Sequence, residues 1–225
     1  MAEDAKNFAL LIELARESSS EKRRELLRKV TDTFLASSEI RTDREAELFD
    51  EIVGAVAADL ETQVRIELAN KVAASKLQIR RTARRLAFDV IEVARPVLEN
   101  SPALTQSDLV EVIQSLTQDH MMAVTKRTDI GEKTSSALVA KGGDHVVASL
   151  LGNITARISR ETYERVADRA LSSPALHAPF IRRLHVPIDL LNSVYLKVSA
   201  DLRREIIGKF QGATAENIEA ALEAM

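Results

Sequence analysis

Two segments thirty residues apart are similar: Ala58-Asp59-Leu60-Glu61-Thr62-Gln63-Val64-Arg65 and Phe88-Asp89-Val90-Ile91-Glu92-Val93-Ala94-Arg95. In both copies an arginine follows the aspartate by six residues. A third copy has Asp119 at the same interval, but Thr125 occupies the arginine position and Arg127 lies two residues further on. A fixed period of this length, without glycine-rich or strand-like segments, is typical of stacked helical repeats. Because such arrays mostly provide binding surfaces, the repeat predicts a scaffold or binding role.

A second internal similarity lies further along the chain. Arg127-x-x-Ile130 leads to Leu138, and Arg183-x-x-Val186, shifted by 56 residues, leads to Val194. Two helix pairs therefore share one template. Since the periods of 30 and 56 are not multiples of each other, the predicted repeat is degenerate.

Apolar residues recur at intervals close to 3.6 along nearly the whole chain, which indicates amphipathic helices. We expect more than about 65% helix and no sheet, roughly twice the usual helix share. The pattern predicts one long helix from Leu77 to Arg95, ended or kinked by Pro96, which lacks an amide hydrogen. Thr105 is expected to cap the helix after the next turn, and Gly142-Gly143 to separate two further helices.

No linker rich in Gly, Pro or Ser divides the chain, so one continuous array is expected. A shift from acidic to basic composition near residue 75 suggests an N-terminal group of helices, residues 1–75, packed on a repeat region, residues 76–210. Residues 211–225 predict a weakly amphipathic terminal helix.

Composition excludes several classes of protein. Charged residues make up 29% of the 225 residues but nearly cancel, leaving a net charge of −3, which argues against a general nucleic-acid binder. The absence of cysteine excludes disulfides and thiol catalysis. No apolar run approaches the ~20 residues of a membrane span, and the acidic N-terminal residues do not predict a secretory signal. We expect a soluble cytoplasmic protein without cofactor or bound metal; its oligomeric state stays open.

Several phrases carry a family resemblance when taken in order. They are Leu86-Ala-Phe-Asp89, Val93-Ala-Arg-Pro-Val-Leu-Glu-Asn-Ser101, Leu109-Val110, Ser136-Ala-Leu-Val139, and Val146-Val147 leading to Leu150-Leu151-Gly152-Asn153 and Ala156. Over roughly residues 20–210 the chain resembles an alphaproteobacterial family of uncharacterised function built from HEAT-like helical repeats. The resemblance implies a right-handed stack of helix pairs that acts as an adaptor, and no known substrate.

The same resemblance implies a structural role for the periodic residues. In HEAT-type repeats an aspartate and an arginine six residues on form a hydrogen-bonded ladder between neighbouring repeats. Asp59 with Arg65 and Asp89 with Arg95 match this spacing, whereas Asp119 has no arginine at the matching position. We expect Asp59 and Asp89 to accept hydrogen bonds from turn amides or from Arg65 or Arg95.

Four arginines supply the strongest candidate for a functional site: Arg80, Arg81, Arg84 and Arg85. On a helix they form a basic stripe two rows wide, opposite the apolar residues. The stripe could bind an acidic protein segment or a phosphate group. The alternative is a solvated face on which Arg85 pairs with Asp89, worth about 0.3–0.5 kcal/mol.

Candidate catalytic residues are few. His120, among polar neighbours, suggests a histidine phosphotransfer module, which needs two long helices that Gly131 and Gly142-Gly143 interrupt. His177 and His185 lie eight residues apart across a proline, without a metal-binding motif. The first alternative to a binding scaffold is a nucleic-acid-acting HEAT-like protein such as a DNA repair glycosylase, which needs aromatic residues around an extruded base; the chain has no Trp and two Tyr. The sequence therefore predicts a non-enzymatic protein-binding scaffold or adaptor in bacterial regulation or signalling.

Overall fold

A computed structural model describes residues 9, 12–14, 16–17, 19–36, 43–57 and 60–195. Within these ranges every regular element is a helix, which confirms the predicted all-α class. The helices are α1 (Ser20–Ala36), α2 (Asp43–Ala57), α3 (Thr62–Ala74), α4 (Arg80–Ala87), α5 (Ile91–Asn100), α6 (Gln106–Ser115), α7 (Gln118–Val124), α8 (Glu132–Lys141), α9 (Asp144–Gly152), α10 (Arg160–Ser172), a 3-10 turn (Pro174–Leu176), α11 (His177–Arg182) and α12 (Ile188–Tyr195). None of these helices combines the length and apolar character that crossing a bilayer requires.

The chain divides into two compact units, Met1–Val124 and Thr125–Met225. The division expected near residue 75 falls inside the first unit, where α2 packs on α4 and α3 packs on α5. Helices on both sides of residue 75 therefore share one core. The terminal segment 211–225 lies outside the described residues.

In the first unit, α1, α3, α5 and α7 pack on one another in succession. Helix α2 lies against α4, which in turn packs on α5 and α3. The core is mainly aliphatic, and Phe34 and Phe49 stack within it with their ring centroids 4.0 Å apart. Burying such side chains supplies most of the folding free energy, about 1.5–3 kcal/mol for each large residue.

The single helix predicted from Leu77 to Arg95 is wrong. The chain leaves the helix at Phe88 and begins α5 at Ile91. Asp89 explains the break. Its carboxylate accepts a hydrogen bond from the Val90 amide at 2.7 Å and also forms an ion pair with Arg65 of α3. Pro96 lies inside α5 instead of ending it. Its missing amide costs one backbone hydrogen bond, which packing of the surrounding residues on α3 and α7 offsets.

The second unit is built around α9, α10 and α11, with α8 and α12 each packed on α10. Tyr163 and Phe180 meet edge to face at 6.4 Å between ring centroids. Helices α8 and α12 begin 56 residues apart, the spacing of the internal alignment. Arg127 and Arg183, which precede them at matching positions, are both buried.

Arg183 joins the turns of the second unit. Its guanidinium donates to the Tyr163 hydroxyl at 2.8 Å. It also donates to four backbone carbonyls near the end of α9, those of Leu150, Leu151, Asn153 and Ala156. Carbonyls at a helix C-terminus lack intrahelical partners and carry partial negative charge, so a buried guanidinium there is both hydrogen-bonded and electrostatically favoured.

Candidate functional site

The four arginines of α4 divide into two pairs with different surroundings. Arg80 donates to both carboxylate oxygens of Asp108, at 3.0 and 2.9 Å. Arg84 donates to Asp108 at 2.8 Å and to Glu111 at 2.5 Å. Asp108 and Glu111 belong to α6, so these contacts join α4 to α6. The basic stripe is therefore compensated, in part, by carboxylates more than twenty residues away in sequence.

Asp108 is the centre of this network, and its side chain is only 1% exposed. Burial raises the pKa of its carboxyl, but hydrogen bonds from Arg80, Thr105 and Arg84 outweigh burial and hold the pKa well below its usual range. Asp108 also accepts the Thr105 amide, which completes a capping box at the start of α6. The predicted Thr105 cap is thus present, and its acidic partner also binds the arginines.

Asp50, on α2, caps α4 from outside. Its two carboxylate oxygens accept the backbone amides of Arg81 at 2.7 Å and Thr82 at 2.6 Å. Ile79, at the N-cap position of α4, provides no side-chain cap. A helix N-terminus carries partial positive charge and unpaired amides, so the buried Asp50 carboxylate is stabilised there by hydrogen bonds and by the helix dipole.

Arg81 and Arg85 form the second pair, one helical turn apart. Both side chains are exposed, and within the described residues neither guanidinium forms a hydrogen bond or ion pair. They line an open cleft of about 830 Å³ between α4 and α2. We call it the α2/α4 cleft; its walls also include Gly54, Ala55 and Phe88. The predicted Arg85–Asp89 pair is not formed.

Most carboxylates of the α2/α4 cleft already have partners. Asp50 holds the α4 amides, and Glu111 holds Arg84. Asp89 is engaged by Arg65, whose Nε and Nη2 donate to it at 2.6 and 3.0 Å. A neighbouring cleft of about 600 Å³ is lined by Glu47 of α2 in addition to Asp50 and Glu51, which also line the α2/α4 cleft. The two clefts share Arg81 and Arg84, so positive charge lies along α4 and negative charge along α2.

The periodic residues join successive turns of the first unit. Arg65 binds the aspartate of the following copy, Asp89, and also donates to the Leu60 carbonyl. The ring nitrogen Nε2 of His120 contacts the Asp89 carbonyl at 2.9 Å. Asp59 lies outside the described residues. Arg95 and Asp119 are exposed, and among the described residues neither side chain forms a hydrogen bond or an ion pair.

The histidines have surroundings that suit structural roles. His120 is 5% exposed. Because a carbonyl only accepts, Nε2 donates to Asp89 and Nδ1 accepts from the Thr117 hydroxyl at 2.8 Å. His177 is buried and contacts the Ala170 carbonyl at 2.7 Å, while His185 is exposed in a turn with φ of 64°. No group of three or more potential metal ligands occurs in the part of the chain that the structure describes.

Sequence reasoning missed the acidic half of this region. Asp50, Asp108 and Glu111 act on α4 from helices distant in sequence, and only Asp108 had a local signal, its place three residues after Thr105. Asp50 and Glu111 look like ordinary carboxylates of solvent-facing helices. Their partners became clear only from the packing of α2 and α6 beside α4.

Comparisons with known proteins give one finding. No curated protein and no solved structure matches the chain. Residues 93–225 match the model of a family described as "Uncharacterised protein conserved in bacteria (DUF2336)". Since this match covers more than half of the 225 residues, the chain belongs to that bacterial family.

Proposed function

We propose that this chain is a non-enzymatic scaffold of HEAT-like helical repeats that binds a protein partner, in bacterial regulation or signalling, through the α2/α4 cleft. The observation that carries the proposal is the pair Arg81 and Arg85, exposed in that cleft and without a side-chain partner among the described residues. Arginines are favoured at protein interfaces because their planar guanidinium binds carboxylates through two parallel hydrogen bonds.

The HEAT-like part of the proposal is supported by the first unit. Alternate helices α3, α5 and α7 pack in succession, as stacked helix pairs do. The ion pair from Arg65 to Asp89 links two successive copies of the periodic segment, which is the kind of contact that a repeat ladder uses. Such stacks offer extended surfaces to other proteins rather than deep catalytic pockets.

The two alternative functions fit the site less well. A nucleic-acid enzyme needs a groove of unbalanced positive charge, whereas Glu51, Asp50 and Glu111 line the clefts beside the arginines. Phosphotransfer by His120 needs an accessible ring nitrogen, whereas both nitrogens are hydrogen-bonded and the side chain is buried. Both arguments favour a binding protein.

The test is affinity capture from a lysate of the bacterium that encodes the chain, followed by mass spectrometry. The variant R81E/R85E should lose the captured partner and keep the far-UV spectrum of the native chain. The matched control is K133E/R157E, which changes the net charge equally at two exposed residues of the second unit. Equal capture by the native chain and R81E/R85E would place the binding surface elsewhere, as would loss of capture in both variants.

A further inference from the structure

The cleft on α4 also indicates the chemistry of its ligand, an inference that rests on the proposed function. We infer that the α2/α4 cleft binds an acidic peptide segment whose carboxylates engage Arg81 and Arg85, with the segment lying on the α4 side of the cleft. Arg81 and Arg85 are one helical turn apart, with about 5–6 Å between their Cβ atoms. Two acidic side chains on one side of a peptide can match that spacing.

The first step of the argument is that these two charges are not satisfied within the described chain. Four arginines within six residues repel one another. Asp108 and Glu111 offset Arg80 and Arg84 at 2.5–2.9 Å. No described carboxylate does the same for Arg81 and Arg85. An anionic group arriving from outside therefore relieves a repulsion that folding leaves in place.

The second step is that the ligand cannot take its place at the helix end. The α4 N-terminus would attract an anion, but the Asp50 carboxylate already accepts its amides at 2.6 and 2.7 Å. A second negative charge there would face Asp50. Binding is therefore directed along the side of α4 to Arg81 and Arg85.

The third step concerns the shape of the cleft. Gly54 and Ala55 leave part of the α2 wall without large side chains, and Phe88 adds an apolar surface to the lining. The Arg84 guanidinium carbon lies 5.2 Å from the Phe88 ring centroid, which holds that ring in place. The opening of about 830 Å³ accommodates a short peptide backbone with its side chains, and Glu51 on the rim repels acidic residues from the α2 side.

The experiment measures binding of three fluorescein-labelled peptides to the full chain by fluorescence anisotropy. The peptides share one alanine-rich sequence and carry two glutamates, two glutamines or two lysines four residues apart. The native chain should bind the glutamate peptide most tightly, by about tenfold over the glutamine peptide, because two partly exposed ion pairs contribute about 1–2 kcal/mol together. Raising the ionic strength should reduce the preference.

Variants of cleft residues then test whether the peptide preference depends on the charge of the cleft or on its shape. R81E/R85E should reverse the order and favour the lysine peptide. A55E, which adds a negative charge at an exposed helix position, should abolish the preference for glutamate, whereas the uncharged A55Q should keep it. E51Q should strengthen glutamate binding. Equal binding of the glutamate and glutamine peptides by the native chain, or equal loss in A55E and A55Q, would overturn the inference.

Its failure is distinguishable from failure of the proposed function. If R81E/R85E loses its cellular partner while no peptide preference exists, the cleft binds protein by other chemistry and only the acidic-segment inference fails. If R81E/R85E and the control capture the same partner as the native chain, the cleft is not the binding surface and both ideas fail. Tighter binding of a fourth peptide, which carries phosphoserine in place of the two glutamates, would likewise contradict the inference, because the ligand would then be a phosphorylated segment.

Discussion

Asp50 lies on α2, and both of its carboxylate oxygens accept amides from the first turn of α4. Because Ile79 offers no side-chain cap, loss of this carboxylate leaves two amides of α4 without partners. We expect D50A to lower the free energy of unfolding by about 1–2 kcal/mol, the usual cost of losing an N-cap. Urea unfolding followed by circular dichroism measures the effect. The neighbouring exposed residue gives the control, E51A, which should unfold at the native midpoint; matching midpoints for both variants would show that Asp50 is not a cap.

Asp108 should make the free energy of unfolding decrease when the pH is lowered into the acidic range. Burial raises its pKa, but hydrogen bonds from Arg80, Thr105 and Arg84 more than reverse that effect, so the folded-state pKa lies below that of the unfolded chain, about 3.9. Its contribution is therefore complete above about pH 4 and is lost as the pH falls towards the folded-state value. We expect D108N to be less stable at neutral pH by about 1–3 kcal/mol, near the lower end because Arg80 and Arg84 are partly exposed.

The pH series distinguishes this carboxylate from ordinary acidic residues. The difference in unfolding free energy between the native chain and D108N should narrow as the pH falls below about 4. Asp168 is exposed and supplies the control, D168N, whose curve should run parallel to the native one. A constant difference between D108N and the native chain at every pH would exclude the proposed charge network.

At the scale of the helices, Gly142 lies between α8 and α9, where close packing leaves no room for a side chain. A Cβ atom at Gly142 would lie 2.6 Å from the Leu138 carbonyl oxygen and 2.7 Å from a methyl carbon of Val146. We expect G142A to destabilise the protein by about 1–3 kcal/mol, because backbone or a buried valine must shift. At Gly152, the last residue of α9, an added Cβ meets nothing within 4 Å. G152A should be neutral or stabilise by up to about 1 kcal/mol, since alanine favours helix. Equal thermal melting of the two variants would contradict the close packing at Gly142.

Over the whole molecule, the two pairs of arginines on α4 should contribute differently to stability. Because Arg80 and Arg84 lie opposite the apolar residues of α4, the helix considered alone predicts that their reversal to glutamate leaves the fold intact. Their ion pairs with the buried Asp108 lead to the opposite expectation, because reversal places negative charges against that carboxylate. R80E/R84E should melt well below the native chain, by several degrees for each kcal/mol lost.

R81E/R85E changes the net charge equally and provides the matched comparison. Both residues are exposed and join no described carboxylate, so its melting temperature should stay close to that of the native chain. Differential scanning calorimetry of the two double variants tests the division. Equal melting temperatures would mean that the contacts to Asp108 add nothing to stability.

The sequence by itself determined the fold class and the composition of the core. Apolar residues at helical spacing, with few prolines and glycines, specify helices through local geometry alone. It also identified the residues of α4 that carry charge, and the cap at Thr105, because a capping box is contained in four consecutive residues.

Only the tertiary structure decided how those residues are used. Leu77–Arg95 contains two helices because Asp89 binds Arg65 and the Val90 amide, and one of these contacts comes from another helix. Arg80 and Arg84 form ion pairs within the protein because α6 brings Asp108 and Glu111 to one side of α4. Arg81 and Arg85 form no ion pair with a described residue. Ion pairs and caps depend on distances of about 3 Å between atoms far apart in the chain, and no local pattern encodes those distances.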